Sequence, residues 1–554
     1  MVAAIRPDPL ASVVGAGISA ETRGEDHHGS STEPRSFPRH VPRAWRPRVA
    51  PDGYYHPSTE AEVVAIVDEA RREGRSVRVR GSAHSVASAI ETDARRTGRS
   101  SAFDVMLDRL GRVTIDTPSG RVVAEAGCHL GVDPRDPTGL STGDRALLPQ
   151  LRAQGLALPD LGGVTHQTIA GFLLTGSAGG SLAHSNEQCI EAIRFVDGRA
   201  RLHEIASNHP WFDAIVCSMG LLGVITAVAF RAVPAYDVRG DERVLPDDAP
   251  EPGLRTRNGL SRFLRESEYA RLIWWPQPGV RRVTTWRAHR MGAADYDAET
   301  GPARDLVERP YRVMGHSLRS KQVANAVSFT GQWLGGAFYR GISALEELEG
   351  RHPILPRLRR SFAPGLAPRM VAGVLDAFVP LDKGEPQRFW GRAENVLPLD
   401  EGMSARALPT TFTELWLPLE AADEVMATLH AHFDRGLTNT GTFAWEVYGA
   451  RATRGWLHPA YERDSLRIDP FWFASRADDP AARGGLFDRL WRLLQPFGYR
   501  LHWGKWLPRE EELGAGHLRA SYPRWDDFMA LRRELDPDGI FLTHAWRRAL
   551  GVVS

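Results

Sequence analysis

Cysteine is scarce in this chain: Cys128, Cys189 and Cys217 are the three in 554 residues. An odd, widely spaced set gives neither a disulfide framework nor a thiolate metal site, and no metal is expected. It suits a reducing compartment, so the expected location is cytoplasmic. Long apolar runs are missing too. None approaches the length of about 18 residues that a membrane span needs. The N-terminus has no continuous apolar core before a small-residue cleavage site, so no membrane partner is expected. An excess of charge of one sign is also absent: 69 Lys and Arg face 68 Asp and Glu, leaving +1. That gives no global electrostatic case for a nucleic-acid partner. Two phosphate-binding signatures are lacking. There is no G-x-G-x-x-G between a strand and a helix and no G-x-x-x-x-G-K-[ST], which counts against a classical dinucleotide fold and a P-loop.

What is present is ordinary for a globular chain, with 42% hydrophobic and 25% charged residues. At 554 residues, at least two domains are expected. Residues 1–44 read as a disordered tail, of which segment 19–44 is polar, broken by proline and without a period. The first strong element starts near Tyr54. Ser58 or Thr59 can cap a helix whose first turn holds Glu60 and Glu62, with Val63, Val64, Ile66, Val67 and Ala70 at helical spacing and Gly74 at its end. "SVRVRG" then alternates as a strand and opens into Gly81-Ser82-Ala83-His84-Ser85. Strand signals follow at 103–107, 112–116 and 121–126. "IEAIRFVDGRARLHEI" reads as a hairpin turning near Asp197-Gly198, and "GLLGVITAVAFRAVP" as a buried strand. A second glycine-dense loop runs from Thr175 through Gly176, Ser177, Ala178 and Gly179. Both loops offer free N–H groups and hydroxyls, the chemistry that cradles a pyrophosphate.

From about 237, Arg and Trp increase and strands alternate with helical segments. The Arg-rich 302–365 stretch reads as a helical insertion or lid.

The ordered set "GSAHS", "TIAGFLLTGSAGG" and "LLGVIT" resembles the FAD-binding domain of the vanillyl-alcohol-oxidase-type (PCMH) flavoproteins. "WEVYGARATRGWLHPAYERDSL", "HWGK" at His502–Lys505 and "LDPDGIF" narrow the resemblance to the sugar-1,4-lactone oxidase and alditol oxidase branch. This implies an α+β chain. A two-part FAD-binding PCMH-type domain over 45–236 would be followed by a substrate (cap) domain over 237–495. The cap domain would be an antiparallel sheet flanked by helices, and 496–554 would return to the flavin.

The resemblance also implies roles. His84 matches the flavin-linking histidine, so FAD is expected to be covalent through it. The family's second linking cysteine has no counterpart, so one link is expected. Arg80, Gly81, Ser82, Ala83, Ser85, Val86, Gly163, Thr168, Gly171, Thr175, Gly176, Ser177, Ala178, Gly179, Ile225 and His502 should contact the cofactor. The family's usual Thr-His-Gly reads Ser177-Ala178-Gly179 here. Glu446 and Lys505 match the catalytic Glu and Lys. Hydride loss from a carbinol carbon also releases the hydroxyl proton, which a buried Glu or Lys can accept or orient.

The departures bear on substrate. The branch's arginine two residues after the Glu is Tyr448, counted here as catalytic. A polar strand reads Asp469-Pro470-Phe471, which makes Asp469 and Phe471 substrate candidates. With a cation lost and an acid gained, an amino-sugar or aminoglycoside-type compound is expected ahead of a polyol or lactone, with O2 or another acceptor. Two alternatives stand beside this. One is a secondary-metabolite oxidase on the same fold; the other is a flavin-binding protein without this activity.

Overall fold

The computed structural model describes residues 46–552. Outside it lie 99–101, 298–300, most of 303–372, 404–405, 412, 436–441, 474–485 and 509–513. The expected disordered tail falls outside the described residues. Of the expected helical stretch at 302–365, little is described: short strands at Val307–Glu308, Tyr311–Val313 and His316–Leu318, and helical residues at 329–338.

The first helix, α1 (Glu60–Glu73), forms as its caps dictate. The Thr59 hydroxyl accepts from the Glu62 N–H at 3.2 Å, and Gly74 closes the helix at φ +62°. Such an N-cap stabilises by about 1 kcal/mol. Its apolar face buries Val63, Ile66, Val67 and Ala70. The chain then enters β1 (Val77–Arg80), paired in parallel with β2 (Phe103–Met106).

A five-stranded antiparallel sheet follows. Its strands are β3 (Val113–Asp116), β4 (Arg121–Glu125), β5 (Ile190–Val196), β6 (Leu202–Ala206) and β7 (Val224–Arg231), in the order β3-β4-β7-β5-β6. The central strand, β7, is buried at all but its last residue, which is why "VITAVAF" shows no polar alternation. Between β4 and β5 runs α2 (Ile169–Leu174), capped by Thr168, whose hydroxyl accepts from the Gly171 N–H at 3.2 Å.

The second half is built on a ten-stranded sheet. Its main strands are β8 (Asp237–Pro246), β9 (Tyr269–Trp275), β10 (Arg282–Arg290), β11 (Gln387–Arg392), β12 (Leu415–Pro418), β13 (Thr442–Ala450), β14 (Ser465–Phe473) and β15 (Arg500–Leu501). They run in the order β11-β8-β10-β9-β13-β14-β12-β15, each antiparallel to its neighbour. Thr410–Thr411 adds a short strand beside β14. One face packs on helices such as Ala422–Asp434, which buries Val425, Met426, Leu429 and Phe433. Among the described residues, no helix is long and apolar enough to cross a membrane.

Candidate active site

The Gly81–Val86 loop leaves the end of β1 and is held from two sides. A Cβ at Gly81 would lie 2.5 Å from the Thr168 hydroxyl, so only glycine lets the loop meet the start of α2 this closely. On the other side, the Val86 N–H donates to the Gly504 carbonyl at 2.9 Å. A Cβ at Gly504 would lie 2.7 Å from the Ser85 hydroxyl. The two glycines therefore bring the His84 loop against the turn that carries Lys505, although 420 residues separate them in sequence.

His84 Nδ1 lies 3.3 Å from His166 Nε2, and Arg135 reaches that same His166 nitrogen at 3.4 Å. Burial, then the charges of Lys505, His166 and Arg135, hold the His84 imidazole well below its usual range. It is therefore a neutral, nucleophilic ring at physiological pH.

Three adjoining cavities run past this loop. The first, about 70 Å³, lies between β1, Asp108, Gly127, Thr168, Gly171 and Ile225, and Arg80 lines it. The second, also about 70 Å³, shares Gly81, Thr168 and Gly171 with the first and adds Ser82, His84, Ser85 and Thr175. The third, about 430 Å³, shares His84, Ser85, Gln167 and Thr175 with the second. A narrow path that passes the glycines at 81, 127 and 171 and the hydroxyls of Ser82, Ser85, Thr168 and Thr175 between apolar side chains, and joins a wider chamber, suits an extended dinucleotide with a planar ring at one end. The residues present thus fit FAD.

The floor of the wide chamber is one face of the large sheet. Side chains alternate along a strand, and the register places like faces side by side. Arg271 on β9 stands opposite Tyr448 on β13, Tyr448 opposite Arg467 on β14, and Glu446 opposite Asp469. Phe471 follows two residues beyond Asp469, and Glu414 enters from the residue before β12. His502 and Lys505 follow β15.

These groups are buried and mostly satisfied. Arg271 pairs with Glu446, and with Asp400 at 2.5 Å. Arg467 donates to Glu414 at 2.6 Å, to the Tyr448 oxygen at 2.6 Å and to the Ala178 carbonyl at 2.7 Å. Tyr448 in turn donates to Asp469 Oδ2 at 2.8 Å, while Asp469 Oδ1 has no hydrogen-bond partner among the described residues.

The electrostatics follow from that placement. Burial, then the neighbouring Glu414, pushes Asp469 well above the usual carboxyl range. Burial acts against the charged form of Glu414 as well, but Arg467, His502 and Lys505 outweigh it and lower its value. Burial lowers Lys505 even though Glu414, Asp469 and Asp400 oppose it. His502 is pushed down to about 4 by burial, and Tyr448 well up for the same reason.

The sequence-predicted residues Glu446, Lys505, Tyr448, Asp469, Phe471, His502, His84, Ala83, Ser85, Val86, Gly163, Thr175, Ser177 and Ala178 all line the wide chamber. Arg80, Gly81, Ser82, Thr168, Gly171 and Ile225 line the narrower path.

Two glycines do not join them. Gly176 faces a separate apolar pocket, where a Cβ would meet Cys217 and His458 at 3.0 Å. Gly179 turns towards the buried Asp160, to which its N–H donates at 2.7 Å. Gly176 has the left-handed φ of +70° that glycine takes readily.

The expected loss of a cation at Tyr448 is also corrected. The adjacent strands supply Arg271 and Arg467, whose guanidinium carbons lie 5.9 and 3.9 Å from the centre of the Tyr448 ring. Sequence reasoning missed Arg271, Arg467, Glu414, Asp400, His166 and Arg135. The available signal was a charge inside an apolar strand run, as in "YARLIWW" and "TELWLP".

The profile of the D-arabinono-1,4-lactone oxidase family matches residues 228–550, and that of an FAD binding domain matches 51–132. A putative D-arabinono-1,4-lactone oxidase of Neurospora crassa is 26% identical over 93% of this chain and 87% of its own. An L-gulono-1,4-lactone dehydrogenase of Mycobacterium tuberculosis is 25% identical over 91% and 96%. An alditol oxidase of a Streptomyces species is 25% identical over 71% and 75%. Among solved structures, cholesterol oxidase from B. sterolicum superposes with a TM-score of 0.62 at 16% identity, over 90% of this chain and 94% of that one, a likeness of fold.

Proposed function

The chain belongs to the D-arabinono-1,4-lactone oxidase family, an FAD-dependent oxidoreductase family. We propose that this member oxidises an alcohol carbon of a neutral sugar-like substrate, a polyol or lactone, in the chamber between His84 and the sheet. One observation carries this reading: His84, Glu446, Tyr448, Asp469 and Lys505 line a single cavity of about 430 Å³. FAD, when bound, supplies the hydride acceptor.

The protein's own groups supply the rest. The Glu446 carboxylate, held in place by Arg271, takes the proton of the reacting hydroxyl. Asp469 Oδ1, which has no hydrogen-bond partner among the described residues, accepts or donates a hydrogen bond to a second hydroxyl, with Tyr448 bracing the other oxygen. Lys505 orients the substrate. Covalent attachment through His84 is part of the proposal, and its neutral imidazole and the contact with His166 support it. We assign residues 45–236 to cofactor binding, 237–495 to the substrate sheet, and 496–554 to the return that carries Lys505 back. Molecular oxygen is the proposed acceptor.

The case for an amine-bearing substrate rested on a missing cation. Arg271 and Arg467 balance Glu446 and Glu414, so neutral hydroxylated compounds stand ahead of amino sugars. Anaerobic flavin bleaching by xylitol, a sugar-1,4-lactone and an amino sugar tests this order. Fastest bleaching by the amino sugar overturns it, and no bleaching by any of the three overturns the activity. Admitting air to the reduced protein then tests the acceptor: rapid return of the yellow colour with peroxide release is expected.

A further inference from the structure

Above the charged floor, the chamber wall changes character. Val164 from the cofactor-side loop, Met403 and Leu408 from the segment before β12, and Trp506 after Lys505 line it together. Phe471 lies at the join, on the same face of β14 as Asp469 and two residues beyond it, so the floor passes from carboxyl to aromatic within one strand repeat. The apolar wall is fixed in place. The Trp506 indole N–H donates to the Thr411 hydroxyl, and the Thr413 hydroxyl donates to the Trp506 carbonyl at 2.9 Å. The Asp400 N–H donates to the Gly163 carbonyl at 2.8 Å, holding the Met403 segment beside Val164.

Met403 is nevertheless 41% exposed, and Leu408 is partly so. Exposed apolar side chains that continue a polar ligand chamber mark surface that a ligand covers. Methionine is adaptable enough to follow the shape of an apolar group. A bare sugar carries hydroxyls around its whole ring and offers Met403 and Leu408 no apolar partner.

We infer that the substrate is amphiphilic, a polyhydroxylated head on the Glu446–Asp469 floor bearing one alkyl or aryl arm that lies along Phe471, Val164, Met403 and Leu408. This rests on the alcohol-oxidising reading above and adds the arm. The reaction is unchanged: the head's carbinol carbon gives up hydride and its hydroxyl gives up a proton, while the arm takes no part.

The test is anaerobic titration of the purified flavoprotein. The best-bleaching simple polyol is compared with its propyl, hexyl and benzyl ethers, all below their aggregation limits. Each methylene buried on the wall should lower the half-saturating concentration by up to about fourfold, so the hexyl and benzyl ethers should saturate well below the parent. In Met403→Ser and Leu408→Ser proteins that keep the wild-type flavin spectrum, the half-saturating concentrations of the ethers should rise towards that of the parent. A wild-type ratio that stays flat, or favours the parent, overturns the inference while leaving the alcohol-oxidising reading intact. If neither parent nor ethers bleach the flavin, both fall together.

Discussion

Glu446 and Asp469 stand directly opposite one another in the register of β13 and β14, so two carboxyl groups share one floor in unlike surroundings. Arg271 pairs with the first, whereas burial and the charge of Glu414 favour a proton on the second. Two carboxyls with different environments divide their work. Glu446→Gln should slow flavin reduction by about 10²–10⁴-fold, the range of lost acid–base help. Asp469→Asn should instead mainly weaken substrate binding, by about two- to tenfold for one neutral hydrogen bond. Stopped-flow reduction at varied substrate separates the two, and equal effects on the limiting rate would contradict this division.

Lys505 lines the same chamber, near Glu414, Asp469 and Asp400. Lys505→Met removes a cation facing Glu414, Asp469 and Asp400. Flavin reduction should fall by about 10²–10⁴-fold, with the bound flavin still yellow. A wild-type reduction rate would remove Lys505 from the assigned role.

His84→Ala tests the covalent bond. Wild-type protein should keep its yellow colour in the pellet after acid precipitation, and the variant should release it or bind none. Colour that stays acid-stable in the variant would place the link elsewhere.

Gly81→Ala tests the cradle without touching a reactive group. The new Cβ would lie 2.5 Å from the Thr168 hydroxyl that caps α2, so the loop or the cap must move. Flavin content per chain should drop steeply while far-ultraviolet circular dichroism stays close to wild type. Full flavin content would show that the loop and α2 can separate without loss.

Glu187 gives stability a pH dependence. Its carboxyl group is buried, accepts from the Arg454 and Gly455 N–H groups at 3.0 and 2.9 Å, and is pushed up to about 7 by burial, against those hydrogen bonds. An unfolded Glu titrates near ~4.3. Between those values the folded chain holds a proton that the unfolded chain has released, so stability falls as pH rises through the window. The effect amounts to about 4 kcal/mol at most. Glu187→Gln should flatten this decline in thermal melts between pH 5 and 8. Asp160 and Asp536, both pushed up to about 6 by burial, keep part of it. An unchanged slope would show that Glu187 does not titrate there.

Local sequence determined much of this protein by itself. Caps at Thr59 and Gly74 bounded the first helix, and two-residue alternation announced the strands. The motifs "GSAHS" and "HWGK" marked the loops that meet at the chamber, although the reason for glycine at 81 and 504, close approach to Thr168 and Ser85, is tertiary. What surrounds those loops was decided only by tertiary structure. Tyr448 looked like a lost cation because a strand's neighbours cannot be read along the strand. Once β9 and β14 flank β13, Arg271 and Arg467 stand beside it from positions 177 residues before and 19 after. Gly176 and Gly179 lie in the expected loop, yet they pack against Cys217, His458 and Asp160, while Ser177 and Ala178 between them line the chamber. Charge balance, burial and proton affinity in the chamber belong to the sheet's register, which pairs residues far apart in sequence and has no signature within any one segment.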